Sequence, residues 1–122
     1  MRDHFKLRTF ELADELVLAI YRVTRGFPRD EQFGLTAQMR RAAVSIPSNI
    51  AEGFVRHHSK EYKQFLYISL GSCAELETQV IISHRRGYIT KEALEELTED
   101  INHETRMLVS LINKIQRVTD HE

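Results

Sequence analysis

The sequence predicts an all-α protein: an antiparallel up-down-up-down four-helix bundle forming one domain over residues 1–122. Three observations predict it. Apolar residues recur at three- and four-residue spacing in four long segments. The breaks between those segments are short and hold glycine, proline or clustered polar residues. No segment alternates apolar and polar with the period of two that marks a half-buried strand. At 122 residues and 42% hydrophobic content the chain is long enough for one core without cross-links.

The first helix is expected from Thr9, a fair N-cap, with Phe10, Ala13, Leu16, Val17, Ile20 and Val23 on one face. Gly26 and Pro28 end it. The loop GFPRDEQFG follows, with Phe27 and Phe33 expected to fold back as a lid on the bundle end. Thr36 is the expected cap of the second helix, whose apolar face runs through Met39, Ala42, Ala43, Ile46, Ile50 and Phe54. Ser59 is read as the cap of a long third helix lined by Tyr62, Phe65, Leu66, Ser69, Ser72, Cys73, Leu76, Val80 and Ser83, with Gly87 in the left-handed position that ends it. Thr90 caps the fourth, with Glu92, Glu95 and Glu96 near its positive end. Leu94, Leu97, Ile101, Leu108, Leu111, Ile112, Ile115 and Val118 form its stripe.

The stretch from Gly34 to Gly53, GLTAQMRRAAVSIPSNIAEG, organises this plan. Pro47 removes a backbone donor and crowds the carbonyl of Ala43, so the second helix is expected to be one element with a kink. Asn49 can donate to a carbonyl left unpaired, whereas an ionised Glu52 can only accept, from a nearby Tyr or Arg. Helices two and three turn about His57 and His58, which puts Ser45 level with Gly71, Arg41 with Glu75 and Arg40 with Glu77. Small residues on both helices at that height imply a close approach. A partly buried arginine–glutamate pair is the corresponding expectation; two exposed arginines are the plainer alternative.

Net charge is −1, so a nucleic-acid role must rest on a local patch. One bundle end gathers Lys6 together with Arg8, Arg56, His57, His58, Lys60, Lys63, Lys114 and Arg117, of which the last eight are the candidate phosphate contacts. The other end gathers Arg22, Arg25, Arg29, Arg40, Arg41, Arg85 and Arg86. Cations at helix C-termini also have a purely structural explanation in the helix dipole.

The chemistry of catalysis is not evident. Cys73, the single cysteine, excludes an internal disulfide, fits a reducing cytoplasm and reads as an inert core thiol. Glu75 and Glu77 point about 200° apart on a helix and cannot act as a pair. The histidines lack the Glu-x-x-His pattern on two helices that bundle metal sites need, so neither metal nor cofactor is expected. No apolar run approaches the roughly 20 residues of a membrane span, and no membrane partner is expected. Leftover apolar residues on helix three (Tyr67, Ile68, Leu70, Ile81, Ile82) and helix one (Leu12, Leu18) point to self-association.

Four segments carry a family resemblance: IYRVTRGFP at residues 20–28, FGLTAQMRRAAVSIPSNIAEG at 33–53, FLYISLGSCAELETQV at 65–80 and RGY at 86–88. In these the chain resembles the four-helix-bundle proteins of bacterial 23S ribosomal RNA intervening sequences, also called ribosomal protein S23. The resemblance implies a ring, commonly a pentamer, with no catalytic residues to carry over. It extends to the accessory proteins of diversity-generating retroelements, whose rings bind RNA and a reverse transcriptase through basic surfaces. The expected function is therefore a non-enzymatic ring binding RNA or a ribonucleoprotein partner. An oligomeric protein–protein adaptor is the alternative that the near-neutral charge favours.

Overall fold

In the computed structural model, which describes residues 4–120, four helices follow one another: α1 (His4–Thr24), α2 (Leu35–Phe54), α3 (Ser59–Arg85) and α4 (Lys91–Asp120). A 3-10 turn, Arg29–Glu31, joins α1 to α2, and among the described residues there is no strand. Each helix packs on its sequence neighbours and α1 closes the ring against α4, so α1 and α3 lie on a diagonal. This is the four-helix bundle that the periodicity predicts. Its core is built from Leu16, Ile20, Met39, Ile46, Ile50, Leu66, Leu76, Val80, Ile101, Leu108 and Leu111, each essentially closed to solvent.

The caps differ from expectation. Thr9 lies inside α1, where its hydroxyl donates to the Phe5 carbonyl (2.7 Å) one turn back, a local bond open to any helical threonine. Leu35 opens α2, and Gly34 rather than Thr36 precedes it. The exposed Leu35 N–H is taken by Glu31 Oε1 at 3.1 Å, a cap supplied from the 3-10 turn. Helix α3 begins at Ser59 itself, with His58 in the cap position and no side-chain cap bond. Thr90 does cap α4, accepting from the Ala93 N–H at 3.1 Å. Gly87 has φ 77°, the left-handed conformation that suits glycine after a helix. Of the two lid residues, Phe27 is buried against Tyr88, ring centroids 5.2 Å apart, while Phe33 points outward.

The α2–α3 seam carries the organising interactions. α2 runs unbroken through Pro47. Along this stretch Asn49 Nδ2 donates to the Ser45 carbonyl (2.8 Å) and Ser69 Oγ to the Ile46 carbonyl (2.9 Å). Neither donates to Ala43, the carbonyl facing the proline's missing N–H, so Asn49 serves a different carbonyl from the one expected. Ser72 Oγ donates to Ser45 Oγ at 2.8 Å, which holds the register to within a residue of the Ser45–Gly71 level. Gly71 itself turns outward: a Cβ added there would meet nothing within 4 Å. The close approach sits lower, at Gly53, where a Cβ would fall 2.9 Å from the Tyr62 ring.

α3 is long and apolar enough, by length and composition, to cross a membrane. Its inner face, however, carries Ser69, Gln79 and Ser83 among the core residues and is packed between α2 and α4.

The two glycines should therefore behave oppositely on thermal unfolding. Gly53→Ala must push apart the buried Tyr62 ring and α2, costing about 1–3 kcal/mol. Gly71→Ala gains helix propensity with no clash and should stabilise the subunit by roughly 0.5–1 kcal/mol. A Gly71→Ala midpoint below the parent's would count against the open outward face.

Candidate nucleic-acid interface

The eight candidate phosphate contacts do collect around one end, where α1 and α3 begin and α2 and α4 finish. Cross-chain contacts tie that end together. Lys114 Nζ lies over the Phe5 ring at 4.4 Å, Lys6 Nζ over Tyr62 at 5.3 Å, and Lys63 donates to Gln116 Oε1. Arg56 bonds Glu52, as expected of an acceptor glutamate, and lays its guanidinium over Phe65 at 4.7 Å. Arg8 stands 3.9 Å from Glu15. Four of the eight, Arg8, Arg56, Lys63 and Lys114, are thus engaged within the subunit. His57, His58, Lys60 and Arg117 are exposed, the last with its neighbours Gln116 and Asp120 bonded to each other instead.

The opposite end differs. Arg25, Arg29, Arg85 and Arg86 are exposed, and among the described residues none takes part in an ion pair within 4.0 Å. The loop between them is pinned. Glu31 accepts from the Leu35 N–H and, at 2.9 Å, from the Tyr88 hydroxyl, so one carboxylate ties the 3-10 turn to α2 and to the α3–α4 turn. Those two hydrogen bonds hold the Glu31 carboxyl below its ordinary range, the Leu35 N–H contributing most. The bond to Glu31 raises the Tyr88 hydroxyl in turn.

The predicted buried arginine–glutamate pair does not form. Arg41 and Glu75 are both exposed, and Arg40 turns to α1 rather than α3. Its Nε donates to Thr24 Oγ1 at 2.9 Å and its guanidinium lies 4.5 Å from the Tyr21 ring centroid. Level positions across a helix pair share a height but not a facing direction; the rotation of α2 sends residue 40 towards its other neighbour.

The buried acid lies elsewhere, at Glu104 on α4. It is 0% exposed and neither carboxylate oxygen has a hydrogen-bond partner. Burial pushes its pKa up to about 9 against the opposing pull of Arg8, so it is a neutral acid near pH 7. The Cys73 thiol is pushed to about 12, first by burial and then by Glu104, which removes it as a nucleophile near neutral pH. Sequence reading passed over Glu104, although its position midway between Ile101 and Leu108 on the apolar stripe was a signal. Acids elsewhere on α4 gather on its first half, where Glu95, Glu96, Glu99 and Asp100 line a surface cleft. There burial and then Glu96 raise Asp100.

Residues 6–110 match the family described as 23S rRNA-intervening sequence protein. The fold is similar to a crystal structure, at 1.70 Å, of a protein with unknown function from the S23 ribosomal protein family of Bacteroides thetaiotaomicron VPI-5482. The TM-score is 0.82 at 23% identity, over 89% of this chain and 98% of that one, which establishes shared architecture. No curated protein matches the chain.

Arg40→Ala should cost about 1–2 kcal/mol through the lost bond to Thr24 and the lost ring contact, with Arg41→Ala within about 0.5 kcal/mol of the parent. Equal melting midpoints for the two would refute this assignment. Glu104 gives a pH dependence. Below about pH 4.5 folded and unfolded chains both hold its proton; above that the unfolded chain releases it and the folded one does not. Stability therefore falls as pH rises to about 9, by at most about 1.4 kcal/mol per unit. Glu104→Gln should remove this loss, so that its melting midpoint gains on the parent's as pH rises. Parallel curves would show that Glu104 ionises normally.

Proposed function

The chain belongs to the 23S rRNA-intervening sequence protein family, and on that premise we propose a non-enzymatic bundle that self-associates, as a ring of five, and binds RNA or a ribonucleoprotein partner through a charged end. The observation that carries the reading is charge segregation. A net charge of −1 is distributed as cations at the two bundle ends and a block of carboxylates along the first half of α4. A phosphate backbone responds to the local field and not to the total.

Self-association is supported by α3. Tyr67, Ile68 and Ile81 lie on its outward side, beside Gly71 and Ala74, and form an apolar stripe that no other helix of the subunit covers. Small residues in that stripe let a second backbone approach. The adaptor reading keeps this surface and drops the nucleic acid; the near-neutral net charge is what favours it.

Light scattering of the purified protein should give a mass several times that of one 14.3 kDa chain. Anisotropy titrations of a labelled RNA should lose affinity steeply with added salt, with a logarithmic slope of about −0.7 per phosphate contacted on a single strand. A monomer would overturn the ring. Absence of binding at low salt would overturn the RNA reading and leave the adaptor.

A further inference from the structure

We propose that the RNA-contacting surface is the Phe33 end of the bundle, with the Phe33 ring stacking on an unpaired base and Arg25, Arg29, Arg85 and Arg86 taking the flanking phosphates. This rests on the RNA-binding reading above and specifies its site and its ligand: single-stranded rather than duplex RNA.

The contrast between the two ends carries the inference. At the first end Lys114 lies on Phe5, Lys6 on Tyr62, Arg56 on Phe65 and Glu52, and Lys63 on Gln116, while His57, His58, Lys60 and Arg117 are exposed and, among the described residues, lie over no aromatic ring. The Phe5, Tyr62 and Phe65 rings are covered by those same cations, and Phe54, edge-on to Tyr62, is far less exposed than Phe33. At the second end the four arginines lie in no ion pair among the described residues, and Phe33 is 88% exposed. An exposed phenylalanine alone is ordinary. One set among guanidinium groups that lie in no ion pair, Arg86 acting on Glu31 only from a distance, is the combination that single-stranded nucleic acid uses, a π-face for the base and cations for the backbone.

The helix dipole accounts for Arg25, Arg85 and Arg86, which follow the C-termini of α1 and α3. It does not account for Arg29, in the 3-10 turn, or for Phe33. The platform is also held in place. Glu31, two residues from each, is fixed by Leu35 and Tyr88, and a Cβ at Gly34 would fall 2.8 Å from Glu31 Oε1. Phe33 is thus presented from a braced turn. Tyr67, the other widely exposed ring, sits on the apolar stripe of α3 with Ile68 and Ile81, and its one cationic neighbour a turn away, Lys63, is bonded to Gln116, which suits a protein partner.

The test uses the full chain and a labelled oligouridine of about 12 nucleotides, with an RNA duplex as comparison, followed by anisotropy at low salt. The single strand should bind more tightly than the duplex. Phe33→Ala should weaken it at least about tenfold and Phe33→Tyr should restore it. Arg25→Gln with Arg29→Gln should lessen the salt slope. If the parent binds and Phe33→Ala binds equally, or if the larger loss falls on Lys60→Gln with Arg117→Gln, this site is wrong while RNA binding stands. If the parent binds no RNA, both readings fall. If Phe33→Ala lowers the mass seen by light scattering, the ring is buried between copies and the proposal is overturned.

Discussion

The seam between α2 and α3 governs how the other elements sit. A proline in a buried helix removes a backbone donor, and the surrounding side chains supply hydroxyl and amide donors along the same stretch: Ser69 to the Ile46 carbonyl, Asn49 to the Ser45 carbonyl, Ser72 to Ser45 itself. The Ser69 bond is buried and the others partly so, and an unpaired polar group there is costly, which favours one register for the pair. Ser83, whose hydroxyl approaches Met39 Sδ at 3.2 Å, continues the seam towards the other end. Once Ser69, Cys73, Leu76 and Val80 face inward, Tyr67, Ile68, Gly71 and Ile81 must face outward. The apolar stripe available for self-association is thus a consequence of how α2 is seated.

The two ends of the bundle solve the same electrostatic problem differently. Where α1 begins and α4 finishes, cations are folded down onto aromatic rings, which shields ring faces and holds the chain ends to the core. At the other end Phe27, Tyr88 and Glu31 close the core through a ring contact and a hydrogen bond, with Arg86 acting on Glu31 only through its charge. At the first end Lys6, Arg56 and Lys114 sit on aromatic rings, whereas at the second Arg25, Arg29, Arg85 and Arg86 lie in no ion pair among the described residues.

Glu104 shows that this core is not optimised for stability alone. A carboxyl with no hydrogen-bond partner in an apolar interior stays protonated because ionising it there would cost more than keeping the proton. The same low-polarity surroundings suppress the Cys73 thiolate. The buried Cys73 thiol is thereby held protonated near neutral pH.

Local pattern and chain connectivity were enough for the architecture: four helices, their order, the single α2 running through Pro47, the α2–α3 register to within a residue, and Glu52 as an acceptor for a nearby Tyr or Arg, which proves to be Arg56. These depend on periodicity and on distance from a turn, both of which are written along the chain. Facing direction is not. Whether Arg40 looks to α1 or α3 and whether Gly71 lies in the seam or outside it depend on helix rotation, a property of packed pairs, and which of Phe27 and Phe33 closes the core depends on the path of the α1–α2 connection. The same holds for the charged ends. Grouping cations by height was possible from residue numbers, but which of them are spent on rings and which remain free required the packed bundle, because a cation's availability is set by its neighbours across space.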